Sequence, residues 1–232
     1  MLLIDIGNTT ISYGLIKKDY IETYSIPKTE YLKLKYYNKF ISKVFVSSVV
    51  PSLDGIIKNY FPGKTIFFDY KNIPIKIKTK NPKEVGSDRL VNAYAGIHLY
   101  SSPLIIIDFG TATTFDIINS KKEYIGGIIC PGLELSRQSL SKNTAKLPLI
   151  TLKKPYCIIG KTTEESMLSG LVIGYEEMIK GLLIRIKKIM PKNTLVCSTG
   201  GYSKLICENI SDINIINPTL TLEGLKLLGD RT

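Results

Sequence analysis

Two stretches of this chain say nearly the same thing. Residues 2–16, LLIDIGNTTISYGLI, and residues 104–118, LIIIDFGTATTFDII, each run an apolar strand into an aspartate, then a glycine, then threonines. An aspartate at the end of a buried strand is costly to desolvate unless it is paired, hydrogen-bonded or beside a cation. Asp5 and Asp108 lie 103 positions apart (108 − 5), too long a period for a solenoid and suited to a duplicated half-molecule. The repetition therefore constrains the fold to two similar lobes, expected to face one cleft.

The flanking pattern agrees. Residues 1–6, 11–17 and 21–26 read as a strand meander, followed by a helix over 29–41, a strand over 44–48, a helix over 51–60 and a strand over 65–69. A helix over 84–100 carries an apolar stripe at Leu90, Ala93, Ile97 and Tyr100. The meander then restarts with strands at 104–108, 114–119 and 124–129. A helix from about Leu133 follows, then a long amphipathic helix over 164–190 striped by Met167, Leu171, Tyr175, Met178, Leu182 and Ile186. A strand at 194–198 enters Thr199-Gly200-Gly201 and a helix over 202–209. Alternating strands and helices make this an α/β chain. The expected lobes are 1–100 and 101–232.

Composition excludes several classes. No apolar run among the 232 residues reaches the roughly 18 a membrane-spanning helix needs, and the start lacks the long apolar segment of a secretory signal. A cytoplasmic protein without membrane contact is expected. Cys130, Cys157, Cys197 and Cys207 are too widely spaced for a Cys-x-x-Cys pair and read as reduced core residues. The net charge of +11 is mostly dispersed lysine. Lys76, Lys78 and Lys80 alternate with Ile75 and Ile77 as on the wet face of a strand. Solvated faces account for the charge, and no nucleic-acid partner is expected.

The glycines after each acid, Gly7 and Gly110, permit a tight turn and close ligand approach. Asn8, Thr9 and Thr10 in one copy, and Thr111 and Thr113 in the other, offer hydroxyls and backbone N–H groups. Donors beside an acid suit phosphate and its cation. Thr199-Gly200-Gly201, between strand and helix, is a place for a flat ligand. Two other runs mislead. Asp108-Phe109-Gly110 matches a protein-kinase tripeptide, but no His-Arg-Asp or Gly-x-Gly-x-x-Gly loop accompanies it. Gly160-Lys161-Thr162 matches the end of a Walker A loop, but Pro155 stands where its first glycine is required. Gly86-Ser87-Asp88-Arg89 opens a helix with an acceptor and a bidentate donor side by side. The only histidine, His98, reads as structural, so a general base here must be a carboxylate.

These motifs, in this order, resemble the type III pantothenate kinases of the actin, sugar-kinase and heat-shock-ATPase superfamily. The carrying segments are Asp5 to Thr9, Gly86 to Arg89, Asp108 to Thr114, Gly126 to Gly132, Gly160 to Ser166 and Thr199 to Gly201. The resemblance implies an actin-like ATPase fold: two ribonuclease-H-like lobes with mixed sheets flanked by helices. It implies transfer of the ATP γ-phosphoryl group to pantothenate, giving 4′-phosphopantothenate, the first step of coenzyme A biosynthesis.

By that resemblance Asp5, Ile6, Gly7, Asn8, Thr9, Thr10, Ile11 and Ser12 form the first phosphate loop, and Thr111 contacts ATP. Asp88 is the proton acceptor, and Gly86, Ser87 and Arg89 grip pantothenate. Asp108 ligates a monovalent cation, K⁺ or NH₄⁺, beside Mg²⁺, which Asp5 holds through water. Gly200 and Gly201 lie along the adenosine. Thr163 reaches pantothenate from the partner subunit of a homodimer. One position departs: where the family has a pantothenate-contacting tyrosine, seven residues before Gly86, this chain has Thr79, so that a neighbour such as Tyr70 substitutes or substrate affinity is altered. The alternatives are an ATP-binding transcriptional accessory factor of the same family and a phosphohydrolase of the superfamily.

Overall fold

The structure, a computed structural model, describes residues 1–18 and 20–232. Along the chain it forms β1 (Leu2–Ile6), β2 (Thr10–Lys17), β3 (Tyr20–Pro27), a 3-10 helix (Lys28–Lys39), β4 (Val44–Ser48), α1 (Pro51–Tyr60), β5 (Thr65–Phe68) and β6 (Lys76–Ile77). A short 3-10 turn (Pro82–Glu84) leads to α2 (Ser87–Leu99), β7 (Leu104–Phe109), β8 (Ala112–Ile118), β9 (Glu123–Pro131) and α3 (Leu133–Lys142). Then come α4 (Thr163–Leu168), a π turn (Ser169–Ile173), α5 (Gly174–Lys187), β10 (Leu195–Thr199), α6 (Ser203–Cys207), β11 (Ile215–Ile216) and α7 (Leu220–Gly229).

The contacts divide this chain into two compact units. One is Met1–Ser101 with Lys122–Gly126 and Thr219–Thr232, the other Ser102–Lys121 with Gly127–Pro218. A single cut near residue 100 thus describes the path incompletely, because the C-terminal helix packs with the first unit. The first sheet has the order β3-β2-β1-β4-β5, and the second runs β6-β9-β8-β7-β10-β11. Leaving aside β6 at the edge, the two orders correspond strand for strand. In each, the acid-tipped strand is central, antiparallel to the strand after its turn and parallel to a later one. The written repetition is a topological one.

Each unit has its own core. Leu2, Ile4, Ile6, Ile11, Val44, Val46 and Ile57 pack in the first. Ile105, Ile107, Phe109, Phe115, Tyr175, Ile179 and Val196 pack in the second. Full burial of each such side chain favours folding by about 1.5–3 kcal/mol.

Several elements differ from the linear pattern. The helix expected at 29–41 is a 3-10 helix broken at Glu30, with Leu34 its one buried residue; little packing holds it, and packing supplies most helix stability. The helix expected at 84–100 starts at Ser87, because Val85 and Gly86 are extended. No element was expected beyond Asn209, yet α7 covers α2. A Cβ on Gly224 would stand 2.7 Å from Val91 O, and Thr221 Oγ1 donates to Asn92 Oδ1 at 2.8 Å. That close cover explains why α2 is buried at every position from Leu90 to Ile97 rather than along one stripe.

The long helix runs through a π turn instead of as one α segment. Of its expected stripe, Met178 and Leu182 are half-buried while Ile179 and Leu183 are fully enclosed. Cys197 and Cys207 are buried, Cys130 is half-buried and Cys157 is exposed, all four as free thiols; Cys157 is therefore not a core residue. His98 is exposed and packs at a tilt on the Tyr94 ring, with Nδ1 2.8 Å from Tyr94 O. No helix among the described residues is long and apolar enough to cross a membrane.

Candidate active site

In the first unit, Asp5 lies on β1 opposite Ser12 of β2 and Ser47 of β4. The turn after it is closed by Gly7 N–H donating to Thr10 O at 2.9 Å, which leaves Asn8, Thr9 and Thr10 exposed. A further bond from Lys28 N–H to Thr9 O, 2.8 Å, pins the tip. A small turn with exposed hydroxyl side chains suits a phosphate.

Gly86 to Arg89 sits at the start of α2. The Ser87 hydroxyl donates to Ser48 O and accepts from Ser48 N–H, both at 2.9 Å, so it fastens the helix to the end of β4. Asp88 Oδ1 accepts from the Arg89 N–H at 2.8 Å. A Cβ on Gly86 would collide with that oxygen, so glycine is what leaves the carboxylate room. Burial raises the Asp88 carboxyl above the ordinary aspartate value, and the N–H and charge of Arg89 only partly oppose it. A carboxyl shifted up at a helix start beside an arginine suits a proton acceptor.

Arg89 Cζ lies 5.9 Å from the centroid of the Tyr124 ring. Thr79 is half-buried; its Oγ1 is enclosed and has no hydrogen-bond partner, alone in this respect among the described residues.

In the second unit, Asp108 lies on β7 opposite Thr114 of β8 and Thr199 of β10. Gly200, at φ +88°, lies directly beyond: a Cβ there would stand 2.6 Å from Asp108 Oδ1. The structure thus brings the second acid and the Thr199-Gly200-Gly201 turn together. Behind the Asp108 turn, the Tyr175 hydroxyl donates to Pro131 O at 2.7 Å and lies 2.5 Å from Thr113 Oγ1. Gly132 N–H donates to Thr111 O at 3.1 Å, and a Cβ on Gly132 would overlap that oxygen.

Glu134 accepts from Arg137, Gln138 and the Tyr202 hydroxyl, and these bonds, Arg137's foremost, hold its carboxyl below the usual range. Tyr202 directly follows Gly201, so this network braces the glycine turn against α3.

Thr163 lies at the mouth of a cavity of about 510 Å³, with Lys161, Thr162 and Ser166 beside it and Leu140, Leu147, Met167 and Leu171 within. Gly160-Lys161-Thr162 is a helix start: Thr162 Oγ1 accepts from Glu165 N–H at 3.2 Å, and Glu165 Oε2 accepts from Thr162 N–H at 3.1 Å.

For cations the chain offers single strand-end carboxylates, Asp5 and Asp108; no cluster of three His, Cys, Asp or Glu occurs among the described residues. Mg²⁺ in nucleotide sites takes one or two carboxylates plus substrate phosphates and keeps several waters, so this donor set fits a nucleotide-borne ion. Sequence reasoning missed Tyr124, Tyr175 and the Glu134 network. Only Tyr202, next to a glycine turn, had a positional hint.

The sequence model of one family, described as type III pantothenate kinase, matches residues 1–185. Among solved structures, a conserved Baf family protein from Campylobacter jejuni is 20% identical, with a TM-score of 0.67 over 100% of this chain and 98% of that one. The activator of 2-hydroxyisocaproyl-CoA dehydratase from Clostridium difficile, solved with ADPNP, is 13% identical, with a TM-score of 0.57 over 99% and 94%. An inorganic polyphosphate/ATP-glucomannokinase from Arthrobacter sp. strain KM is 13% identical, with a TM-score of 0.53 over 100% and 99%. These similarities establish a mixed α/β fold of the actin-like ATPase and sugar-kinase type.

Proposed function

Because the chain belongs to the type III pantothenate kinase family, we propose that this phosphotransferase moves the ATP γ-phosphoryl group to the primary hydroxyl of pantothenate, yielding 4′-phosphopantothenate and ADP. The observation that carries the reading is Asp88: a carboxyl raised by burial, at the start of α2, with Gly86 leaving it room and Arg89 adjacent.

The pantothenate oxygen attacks the γ-phosphorus, the bond to the ADP oxygen breaks, and the hydroxyl proton passes to Asp88. Such transfers run through a loose transition state, so the protein's work is alignment and charge stabilisation. Residues 5–12 and Thr111 bind the phosphates through hydroxyls and N–H groups, and Gly200 and Gly201 border the adenosine. Arg89 holds the pantothenate carboxylate. Ser87 contributes its backbone, since its hydroxyl is committed to Ser48. Thr79, whose enclosed hydroxyl has no partner, stands where the family has a tyrosine.

Asp5 would hold Mg²⁺ through water and Asp108 would take K⁺ or NH₄⁺; cations held there would supply positive charge against that developing on the phosphates. A homodimer in which Thr163 serves the partner's substrate is part of this reading, supported by the exposed apolar run Tyr156, Ile158 and Ile159 ahead of α4.

The test is a coupled assay with ATP, Mg²⁺, K⁺ and pantothenate. ADP and 4′-phosphopantothenate in equal amounts are expected. ATP binding without any product would instead favour an accessory role, and phosphate release without pantothenate a hydrolase.

A further inference from the structure

Tyr124 is the second residue of β9 and is 1% exposed. Its carbonyl accepts from Lys78 N–H at 2.8 Å, and β6 pairs with it in parallel, Ile77 opposite Tyr124 and Lys76 opposite Glu123. Glu123 Oε1 lies 3.0 Å from Lys76 Nζ and 3.7 Å from Lys78 Nζ. The Lys78–Tyr124 backbone bond extends the two paired residues of this short strap, and the shared carboxylate ties both of its lysines to the same edge. Two groups of the substrate site meet at the strap. The Tyr124 ring lies against the Arg89 guanidinium, and Thr79, with its unpartnered hydroxyl, is the next residue after Lys78.

A guanidinium on a flexible stem loses rotamer freedom when it grips a carboxylate. An aromatic face within about 6 Å of the cation restrains it beforehand, and a buried ring is itself immobile.

We propose that Tyr124 is a positioning residue for Arg89, and that the strap it anchors sets Thr79 beside the same carboxylate-bearing substrate, so that its enclosed hydroxyl turns outward to meet that substrate as it binds. The Lys76–Glu123–Lys78 lattice is then a specificity device: it sets the distance between the arginine and the threonine. This rests on the pantothenate reading given above for Arg89. Tyr124 touches no reacting atom, so its loss acts on substrate affinity.

The experiment compares Tyr124→Phe, which keeps the ring, with Tyr124→Leu, and with Tyr124→Met as a second ring-free variant that keeps more of the buried volume. Leu and Met raise KM for pantothenate on the order of tenfold, with kcat and the KM for ATP within about twofold of wild type; Phe stays within about twofold throughout. Thr79→Val raises KM for pantothenate about fivefold, the scale of one hydrogen bond, and Thr79→Ser restores it.

Equal behaviour of Phe and Leu, or a matching rise in KM for ATP, would overturn the positioning role. An unchanged KM in Thr79→Val would overturn the threonine contact. A readout independent of substrate identity is the Arg89 Nε–H resonance of the free protein, expected at a ring-current-shifted position in wild type and Tyr124→Phe and unshifted in Tyr124→Leu. If the wild type makes no phosphopantothenate, the proposed function fails, while that resonance still decides whether Tyr124 restrains Arg89.

Discussion

Gly200 and Asp108 are in direct apposition: the glycine has φ +88° and its missing Cβ would fall 2.6 Å from the Asp108 carboxylate and 2.7 Å from the carbonyl of Phe109. Both facts exclude a side chain, one by backbone conformation and one by space. Gly200→Ala is therefore expected to destabilise the protein by about 1–3 kcal/mol, read as a lowered urea midpoint. It should also raise KM for ATP, because the displaced atoms belong to the second turn. A midpoint equal to wild type would show that the apposition is looser than described.

Asp88→Asn should lower kcat by about 10²–10⁴-fold, the usual contribution of a positioned general base. The fold should be retained. Burial raises the Asp88 carboxyl, so the folded protein holds that proton more tightly than the unfolded chain. The resulting stability is complete below the unfolded value and is lost as pH rises through the folded one. At neutral pH the ionised group weighs against folding, and the Asn variant should melt at the same temperature or higher. Nearly full turnover in Asp88→Asn would remove the base assignment.

The same group sets an acid limit on catalysis. In the wild type, kcat/KM for pantothenate should fall as pH drops through a midpoint above 3.8, the ordinary aspartate value from which Asp88 is raised. A pH–rate profile checks this, and a midpoint at or below 3.8 contradicts the burial argument.

Glu134 has the opposite sign. Its carboxyl is held low by Arg137 first, then by Gln138 and Tyr202, so the network stabilises the fold fully above the ordinary glutamate value of 4.5. That stability is lost as pH falls through the lower folded value. Glu134→Gln should lower the melting temperature at pH 7 and flatten its decline below about pH 4.5. Parallel declines for both proteins in thermal scans across that range would show that Glu134 does not couple to folding.

Asp108→Asn should leave the protein folded and mainly reduce the stimulation of turnover by KCl, measured by titrating K⁺ at fixed ionic strength with N-methylglucamine chloride. Loss of all activity at every K⁺ concentration would assign Asp108 to the phosphates instead.

Much of this was legible in the chain itself. The acid-tipped strands, their tight turns and the halves they duplicate are local patterns, because strand alternation and turn chemistry are dictated by neighbours within a few residues. Hence β1, β2, β7 and β8, α1 and the Gly86–Arg89 helix start were all readable in advance. What failed depended on packing. The Lys28–Lys39 segment has helix-forming residues but only Leu34 to bury, and the apolar residues of α7 look like any C-terminal stretch until α2 is seen to need covering.

Only the tertiary structure could bring Gly200 against Asp108, lay Tyr124 beside Arg89, or commit the Ser87 hydroxyl to Ser48. These partners are separated by 92, 35 and 39 positions respectively (200 − 108, 124 − 89, 87 − 48). No local preference links residues so far apart; their meeting is set by strand order and by how each core packs. The sequence alone thus determined which residue types could bind phosphate and accept a proton. The packed structure decided which of them are raised, braced or left with a hydroxyl to offer, since desolvation and hydrogen bonding depend on what surrounds a group in space.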